Sequence, residues 1–197
     1  MDAGKERTKM VEHQLRRRGI GDTRVLAAME ETPRERFVPE ASRRDAYADG
    51  ALPLSHGQTI SQPLMVAMSA EALRLTGDET VLEVGAGSGY QAAVLSKLAK
   101  KVYGVEIIPE LVANARATLE SLGIDNVEIL CADGRKGLPE HAPYDGIIVA
   151  AAAEEVPPAL VEQLAEGGRL DIPVGGNWGQ SLLVLLKSEC KLVSDEL

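Results

Sequence analysis

Thr80-Val81-Leu82-Glu83-Val84-Gly85-Ala86-Gly87-Ser88-Gly89-Tyr90 reads as a buried strand running directly into a glycine-rich turn and then a helix. Gly85 and Gly87 permit backbone angles and a close ligand approach that a Cβ would forbid. The helix expected from Tyr90 points its free N–H groups at whatever lies over the turn, which is how a chain builds a cofactor cradle, although a glycine turn alone is a weak signal. The spacing G-x-G-x-G also fits a loose dinucleotide fingerprint, and the ends of the next two strands must discriminate between cofactors.

The next strand, Lys101-Val102-Tyr103-Gly104-Val105, ends in Glu106, 17 residues after Gly89. A carboxylate there accepts hydrogen bonds from both vicinal hydroxyls of a ribose, whether of NAD or of S-adenosyl-L-methionine. The third strand, Val127-Glu128-Ile129-Leu130-Cys131, runs into Ala132-Asp133-Gly134 and sets a second acid where an adenine amino group can donate to it. An Asp-Gly in that place favours an S-adenosylmethionine methyltransferase over a dehydrogenase. Each residue alone has a plainer reading. The glycines suit tight strand-to-helix packing, Glu106 suits the dipole of a helix opened by Pro109, and Asp133-Gly134 suits a turn. Their coincidence at successive strand ends is what packing alone does not anticipate.

From Thr80 onward the chain alternates: strand 80–84, helix 90–99, strand 101–105, helix 109–122, strands 127–131 and 145–150, helix 157–165, strand 169–172. Alternation of this kind predicts an α/β fold, a doubly wound, mostly parallel, Rossmann-like sheet with helices on both faces. Gly167-Gly168 is expected to end the last core helix, Ser181–Lys187 adds a strand, and Ser188–Leu197 reads as a polar tail. Upstream lies an N-terminal helical extension: a helix from about Glu6 to Arg18, then one capped by Asp22-Thr23 through Met29. Thr32–Gly57 reads as ordered coil over the core. A helix over Leu64–Leu75 follows, with Met65, Met68, Ala72 and Leu75 as its inward stripe. The organisation is therefore 1–79, helices and a substrate- and cofactor-covering loop, and 80–197, the cofactor-binding core, packed as one unit.

At 197 residues the chain suits one compact domain and one cofactor site. Its 21 Lys and Arg stand against 30 Asp and Glu, and the net charge of −9 opposes adhesion to nucleic acid. Residues 1–60 are nearly balanced, with 11 basic and 10 acidic side chains, and so form the less repulsive surface for an anionic substrate. Arg16–Arg18 reads as a solvated basic run. Cys131 and Cys190 make no disulfide framework, and no Cys/His cluster is spaced for a metal. The polar start has no signal-peptide core and no run approaches membrane-spanning length. A cytoplasmic, metal-free protein is expected, with no nucleic acid and no membrane partner.

Three stretches carry a resemblance: Gly57-Gln58-Thr59-Ile60-Ser61-Gln62-Pro63, Val81 through Gln91, and Ala142-Pro143-Tyr144-Asp145. Together they closely resemble the protein-L-isoaspartate (D-aspartate) O-methyltransferases, and the likeness runs from about Arg34 to Gly175. It includes Arg36-Phe37-Val38-Pro39, Gly104-Val105-Glu106, Asp133-Gly134 and Val156-Pro157-Pro158-Ala159-Leu160. The glycine turn belongs to all class I S-adenosylmethionine methyltransferases, whereas the Gly-Gln-Thr-Ile-Ser-Gln-Pro run is specific. The resemblance implies methyl transfer from S-adenosyl-L-methionine, with S-adenosyl-L-homocysteine as product, to the α-carboxylate of L-isoaspartyl residues in damaged proteins and peptides. Repair then proceeds through a succinimide. It further implies Ser61 as the catalytic residue, with the cofactor held by Thr59, Ile60, Ser61, Glu83, Gly85, Ala86, Gly87, Ser88, Gly89, Glu106, Ile107, Asp133 and Gly134. An α-carboxylate has a pKa of about 3.5 and is already ionised at neutral pH, so no general base is required. Ser61 is expected to orient that carboxylate or hold the covering run, not to act as a nucleophile. His56, close by in sequence, reads as a surface residue.

The chain departs from the family pattern at its end. No Val-x-Phe-Val-Pro-Leu-like strand follows Lys187, which predicts an open sheet edge at 181–187 and weak peptide binding beside normal cofactor binding. Ala150 stands where members commonly have Thr. The competing readings are a methyltransferase of a small molecule or RNA, and a cofactor-binding protein impaired by its short C-terminus. A monomer is expected.

Overall fold

Asp22 opens a helix as its position predicts: the carboxylate accepts from the N–H groups of Arg24 (2.7 Å) and Val25 (3.2 Å), two donors the first turn leaves free. The computed structural model describes residues 2–151, 153–176, 179–189 and 191–194. Helix α1 (Ala3–Met10) continues through a wide π-type turn, Val11–Leu15, and a tight 3-10 turn, Arg16–Arg18. The single helix expected from about Glu6 to Arg18 therefore starts earlier and changes pitch. α2 (Thr23–Glu31) buries Val25, Leu26, Ala28 and Met29. The stretch expected as coil, 32–57, contains 3-10 turns at Arg34–Arg36, Glu40–Asp45 and Ser55–Gly57. It also supplies β1 (Leu52–Pro53), which pairs antiparallel with β2 (Thr59–Ile60).

α3 (Pro63–Ala72) starts with proline in its first turn, where a missing N–H leaves nothing unpaired. The expected inward stripe is corrected. Met65 is 37% exposed, whereas Ala72 and Leu75 are buried and Met68 packs against the core as expected, and Leu64, Val66, Ala67 and Ala70 are buried beside them. α3 touches α2, α4 and β7, and a helix enclosed on several sides has no single apolar stripe.

Strands and helices then alternate: β3 (Thr80–Val84), α4 (Tyr90–Leu95), β4 (Lys101–Glu106), α5 (Pro109–Ser121), β5 (Val127–Cys131), β6 (Tyr144–Val149), α6 (Pro158–Gln163), β7 (Leu164–Gly176), β8 (Gly179–Ser188) and β9 (Lys191–Ser194). The sheet runs β5-β4-β3-β6-β7-β8-β9, parallel from β5 to β7 and antiparallel thereafter. This is the doubly wound, Rossmann-like arrangement the alternation predicts. The chain steps outward from β3 to β5, then returns to the other side of β3 with β6. The winding therefore reverses between β3 and β6, where open α/β sheets leave a crevice beyond their carboxyl ends.

Two expectations about the second half are corrected. Gly167 and Gly168 do not end a helix but lie inside β7. Tyr144 pairs with Leu164 and Gly146 with Arg169, so β7 loops out between these pairs. Gly167 takes φ +80°, and a Cβ on Gly168 would stand 3.0 Å from the carbonyl oxygen of Asp145. Nor is 188–197 a tail throughout. β9 pairs with Leu185–Ser188, so the edge of β8 is covered along that half. A polar stretch can still form an outer strand, because one of its faces meets solvent. Cys190 and residues 195–197 lie outside the described residues.

The two faces of the sheet are dressed unequally. One carries α1 to α5 over a core that joins Met10, Met29 and Phe37 to Tyr90, Leu95 and Ile148, so the spans 1–79 and 80–197 share it. The other is covered by α6 and short turns over Leu82, Tyr144, Ile147, Leu160 and Leu170.

Candidate active site

A cleft enclosing about 620 Å³, its mouth included, opens where the winding reverses. Its floor is Glu83, Gly85, Ala86, Gly87 and Ser88 with Tyr90 and Gln91 beyond them, its far wall is Ala150 and Ala151 after β6, and Glu106 closes one side. Gln58, Thr59, Ile60 and Ser61 form the roof, with Val66 of α3 behind. Backbone pairing fixes the floor: Gly85 and Ala86 both donate to the Val105 carbonyl (2.8 and 3.1 Å), and Ala150 donates to that of Val84 (2.8 Å). Gly85, Gly87 and Gly89 all take positive φ, +87°, +53° and +82°, which explains why this turn is built of glycine.

Glu106 is tied into the same turn. One carboxylate oxygen accepts from Gly87 N–H and the other from Ile108 N–H, each at 3.0 Å. Every carboxylate oxygen has two acceptor positions, so a pair of hydroxyls can still be taken. Glu83 is the unusual member. It is 1% exposed, its Oε2 has no partner, and burial pushes its pKa well above the ordinary carboxylate range, with the nearby Glu106 adding to the effect. The Gln91 side-chain nitrogen is unpartnered as well. The orphaned Glu83 and Gln91 atoms, together with the spare acceptor positions of Glu106, fit a ligand that brings a cation, a hydrogen-bond acceptor and a diol together. A cofactor made of a nucleoside and an amino acid has those groups.

Nine of the residues expected in the site line this cleft: Thr59, Ile60, Ser61, Glu83, Gly85, Ala86, Gly87, Ser88 and Glu106. Gly89, Ile107, Asp133 and Gly134 do not. Gly89 precedes α4 and packs toward Ala115, 3.1 Å from where its Cβ would be. Ile107 is 64% exposed beside the rim. Asp133 caps the turn Gly134–Lys136 by accepting from Arg135 N–H (3.1 Å) and pairs with the Arg135 guanidinium (2.9 Å), which holds its carboxyl below the usual range. It remains next to the site in the sheet, since Ala132 N–H donates to the Glu106 carbonyl (3.0 Å). Gly134 is required by packing, because a Cβ would stand 2.4 Å from Val84 Cγ1. Gly134→Ala is expected to cost about 1–3 kcal/mol, seen as a lower urea midpoint. An unchanged midpoint would show that Val84 can move aside.

Sequence reasoning did not assign Gln58, Val66, Tyr90, Gln91, Ala150 or Ala151 to the site. Gln58, Tyr90 and Gln91 lie within the quoted motifs and were within reach; Ala150 needed the strand order, and Val66 needed the docking of α3. A second hollow of about 540 Å³ adjoins the cleft through Ser61, Gln91 and Ala150, and is otherwise lined by Met65, Ser69, Ile148, Val149, Pro173 and Leu182. Neither hollow is lined by a histidine.

Residues 5–197 match the sequence profile described as protein-L-isoaspartate(D-aspartate) O-methyltransferase. Among curated relatives, a protein-L-isoaspartate O-methyltransferase 2 of Marinobacter nauticus is 57% identical over 182 residues, which is 92% of this chain and 83% of the relative. A solved protein-L-isoaspartate O-methyltransferase superposes with a TM-score of 0.87 at 34% identity over 96% of this chain, which spans 62% of that structure. A putative one from Plasmodium falciparum, solved in complex with S-adenosyl-L-homocysteine, gives 0.82 at 30% identity, covering 97% of this chain and 94% of the other.

Proposed function

Since the chain belongs to the protein-L-isoaspartate(D-aspartate) O-methyltransferase family, we propose that Ser61 orients the acceptor carboxylate between two hollows, one for cofactor and one for acceptor. The enzyme transfers the methyl group of S-adenosyl-L-methionine to the α-carboxylate of L-isoaspartyl residues in damaged proteins and peptides. Bound cofactor supplies the electrophilic methyl group. The ester so formed closes to a succinimide, and its hydrolysis returns part of the chain to normal aspartate.

Glu106 takes the ribose hydroxyls, the Gly85–Ser88 turn lies against the nucleoside, and Glu83 receives the cofactor's ammonium group. Ile107, Asp133 and Gly134, at the adjoining strand ends, form the adenine side. Residues 1–79 act as the cover and 80–197 as the cofactor-binding core. The observation that carries the Ser61 assignment is that this residue belongs to both hollows. Its hydroxyl donates to one oxygen of an acceptor that is already ionised, leaving the other free to face the cleft. Rate enhancement then comes from placement and exclusion of water, with no base and no covalent intermediate.

Ser61→Ala is expected to lower turnover on isoaspartyl peptide about tenfold, the worth of one hydrogen bond to a charged group, while S-adenosyl-L-homocysteine affinity changes less. Equal rates at saturating substrates would dispose of the role. Radiolabelled S-adenosyl-L-methionine offered with an isoaspartyl peptide and its aspartyl twin tests the acceptor: base-labile methyl ester should form on the first alone.

The enzyme works as a cytoplasmic monomer without nucleic-acid or membrane partners. Its net negative charge supports this reading, as does the finding that no helix among the described residues is long and apolar enough to cross a membrane. Sedimentation that depends on protein concentration would overturn the monomer.

A further inference from the structure

Arg34 is a fully buried guanidinium, 0% exposed, which touches neither hollow. Its Nε donates to the Ala46 carbonyl at 2.8 Å, and its Nη2 donates to the Ser61 carbonyl at 2.7 Å. The guanidinium lies 4.8 Å from the centre of the Tyr90 ring, which in turn meets Phe37 edge-on at 5.6 Å. Ser61 is in the roof of the cofactor cleft and Tyr90 is in its floor. One side chain therefore binds the roof, the floor and the segment before β1. Among the described residues no strand pairing joins the roof to the floor, since the roof belongs to a two-residue strand pair outside the main sheet.

We propose that Arg34 is a positioning residue that sets the place of Ser61 relative to the cofactor cleft. Burying a guanidinium is costly, and the desolvation pulls its pKa down. An apolar side chain could fill the volume without that penalty, but it could not hold two carbonyls and a ring face at fixed mutual angles. The planar fork of arginine can, whereas the single ammonium of lysine cannot reach all three. A residue that holds Ser61 by its backbone governs where the Ser61 hydroxyl stands. Moving that hydroxyl off the acceptor oxygen forfeits its hydrogen bond, and with it up to the roughly tenfold expected of Ser61→Ala. Glu106, by contrast, is held by Gly87 and Ile108, neither of which Arg34 contacts, so cofactor binding is largely independent of it.

This inference rests on the reading of Ser61 given above, and a double-mutant cycle separates the two. Four enzymes are compared: wild type, Arg34→Lys, Ser61→Ala and the double variant. For each, kcat on isoaspartyl peptide is expressed per site that binds S-adenosyl-L-homocysteine, so loss of folded protein does not count. Arg34→Lys should lower kcat several-fold, up to the roughly tenfold loss of Ser61→Ala and no further, with cofactor affinity changed less than threefold. In the Ser61→Ala background the same replacement should have almost no further effect, because the hydroxyl it positions is gone. If the two losses multiply, or if Arg34→Lys leaves kcat unchanged, the positioning role is wrong. If Ser61→Ala alone matches wild type, the reading of Ser61 fails first. Should Arg34→Lys not fold, Arg34→Gln, which keeps one donor group for one carbonyl, runs through the same cycle with the same outcomes.

Discussion

Replacing Glu106 by alanine is expected to weaken S-adenosyl-L-homocysteine binding about a hundredfold or more in calorimetric titration. The proposed ribose contact consists of two charge-assisted hydrogen bonds, each worth about 1.5–3 kcal/mol against 1.4 kcal/mol per factor of ten, and the variant would lack both. The structure adds a second reason. Glu106 accepts from Gly87 N–H and Ile108 N–H, so its removal also frees the glycine turn and strands two amides in a half-buried place. Substitution with alanine therefore damages both the ligand contact and the cradle. The buried Glu83 loses a like-charged neighbour, which lowers its pKa but restores no acceptor for the diol. Unaltered affinity would remove Glu106 from the site.

The second large effect concerns stability and its pH dependence. Asp171, in β7, is 0% exposed between Ile148 and Val184 on the neighbouring strands, and neither of its carboxylate oxygens has a hydrogen-bond partner of good geometry. Burial pushes its pKa up to about 6 from an ordinary 3.8, and Ser69 of α3 only partly offsets this. An acid with a raised folded pKa leaves stability intact below pH about 4, where it is protonated in both states. As pH rises toward 6 the unfolded chain releases its proton first, and folding loses about 3 kcal/mol by neutral pH. Asp171→Val should recover that loss and raise the melting temperature by roughly 6–12 °C at pH 8, with a much smaller gain at pH 4. Glu83 carries the same sign and remains, so the variant still declines with pH, but less steeply. Melting curves of the two proteins that shift in parallel with pH would show that Asp171 is not the group responsible.

Much of this architecture is legible in the sequence, for reasons that are local. Parallel strands are buried on both faces and appear as apolar runs, as in Gly146-Ile147-Ile148-Val149. Asp22 declares a helix start because its side chain completes its own first turn. The glycines at 85, 87 and 89 mark a turn because only glycine takes these positive φ values without strain. The place of Glu106 at the cleft is readable because it is set by the strand that ends in it.

What only the tertiary structure decided depends on residues far apart in the chain. Gly167 and Gly168 look like a helix stop, yet they serve an irregularity in β7 that exists only opposite β6. Met65 has helical spacing with Met68 and Ala72, but α3 is enclosed by α2, α4 and the sheet, and which side each residue faces follows from that docking. The chain's end reads as a polar tail and becomes β9 because β8 offers it unpaired backbone groups. Ser61 could be picked out from its motif, but its membership of two hollows and the hold of Arg34 on its carbonyl could not. Composition and spacing determine what a residue can form with its near neighbours, whereas long-range packing decides which of those possibilities the fold uses.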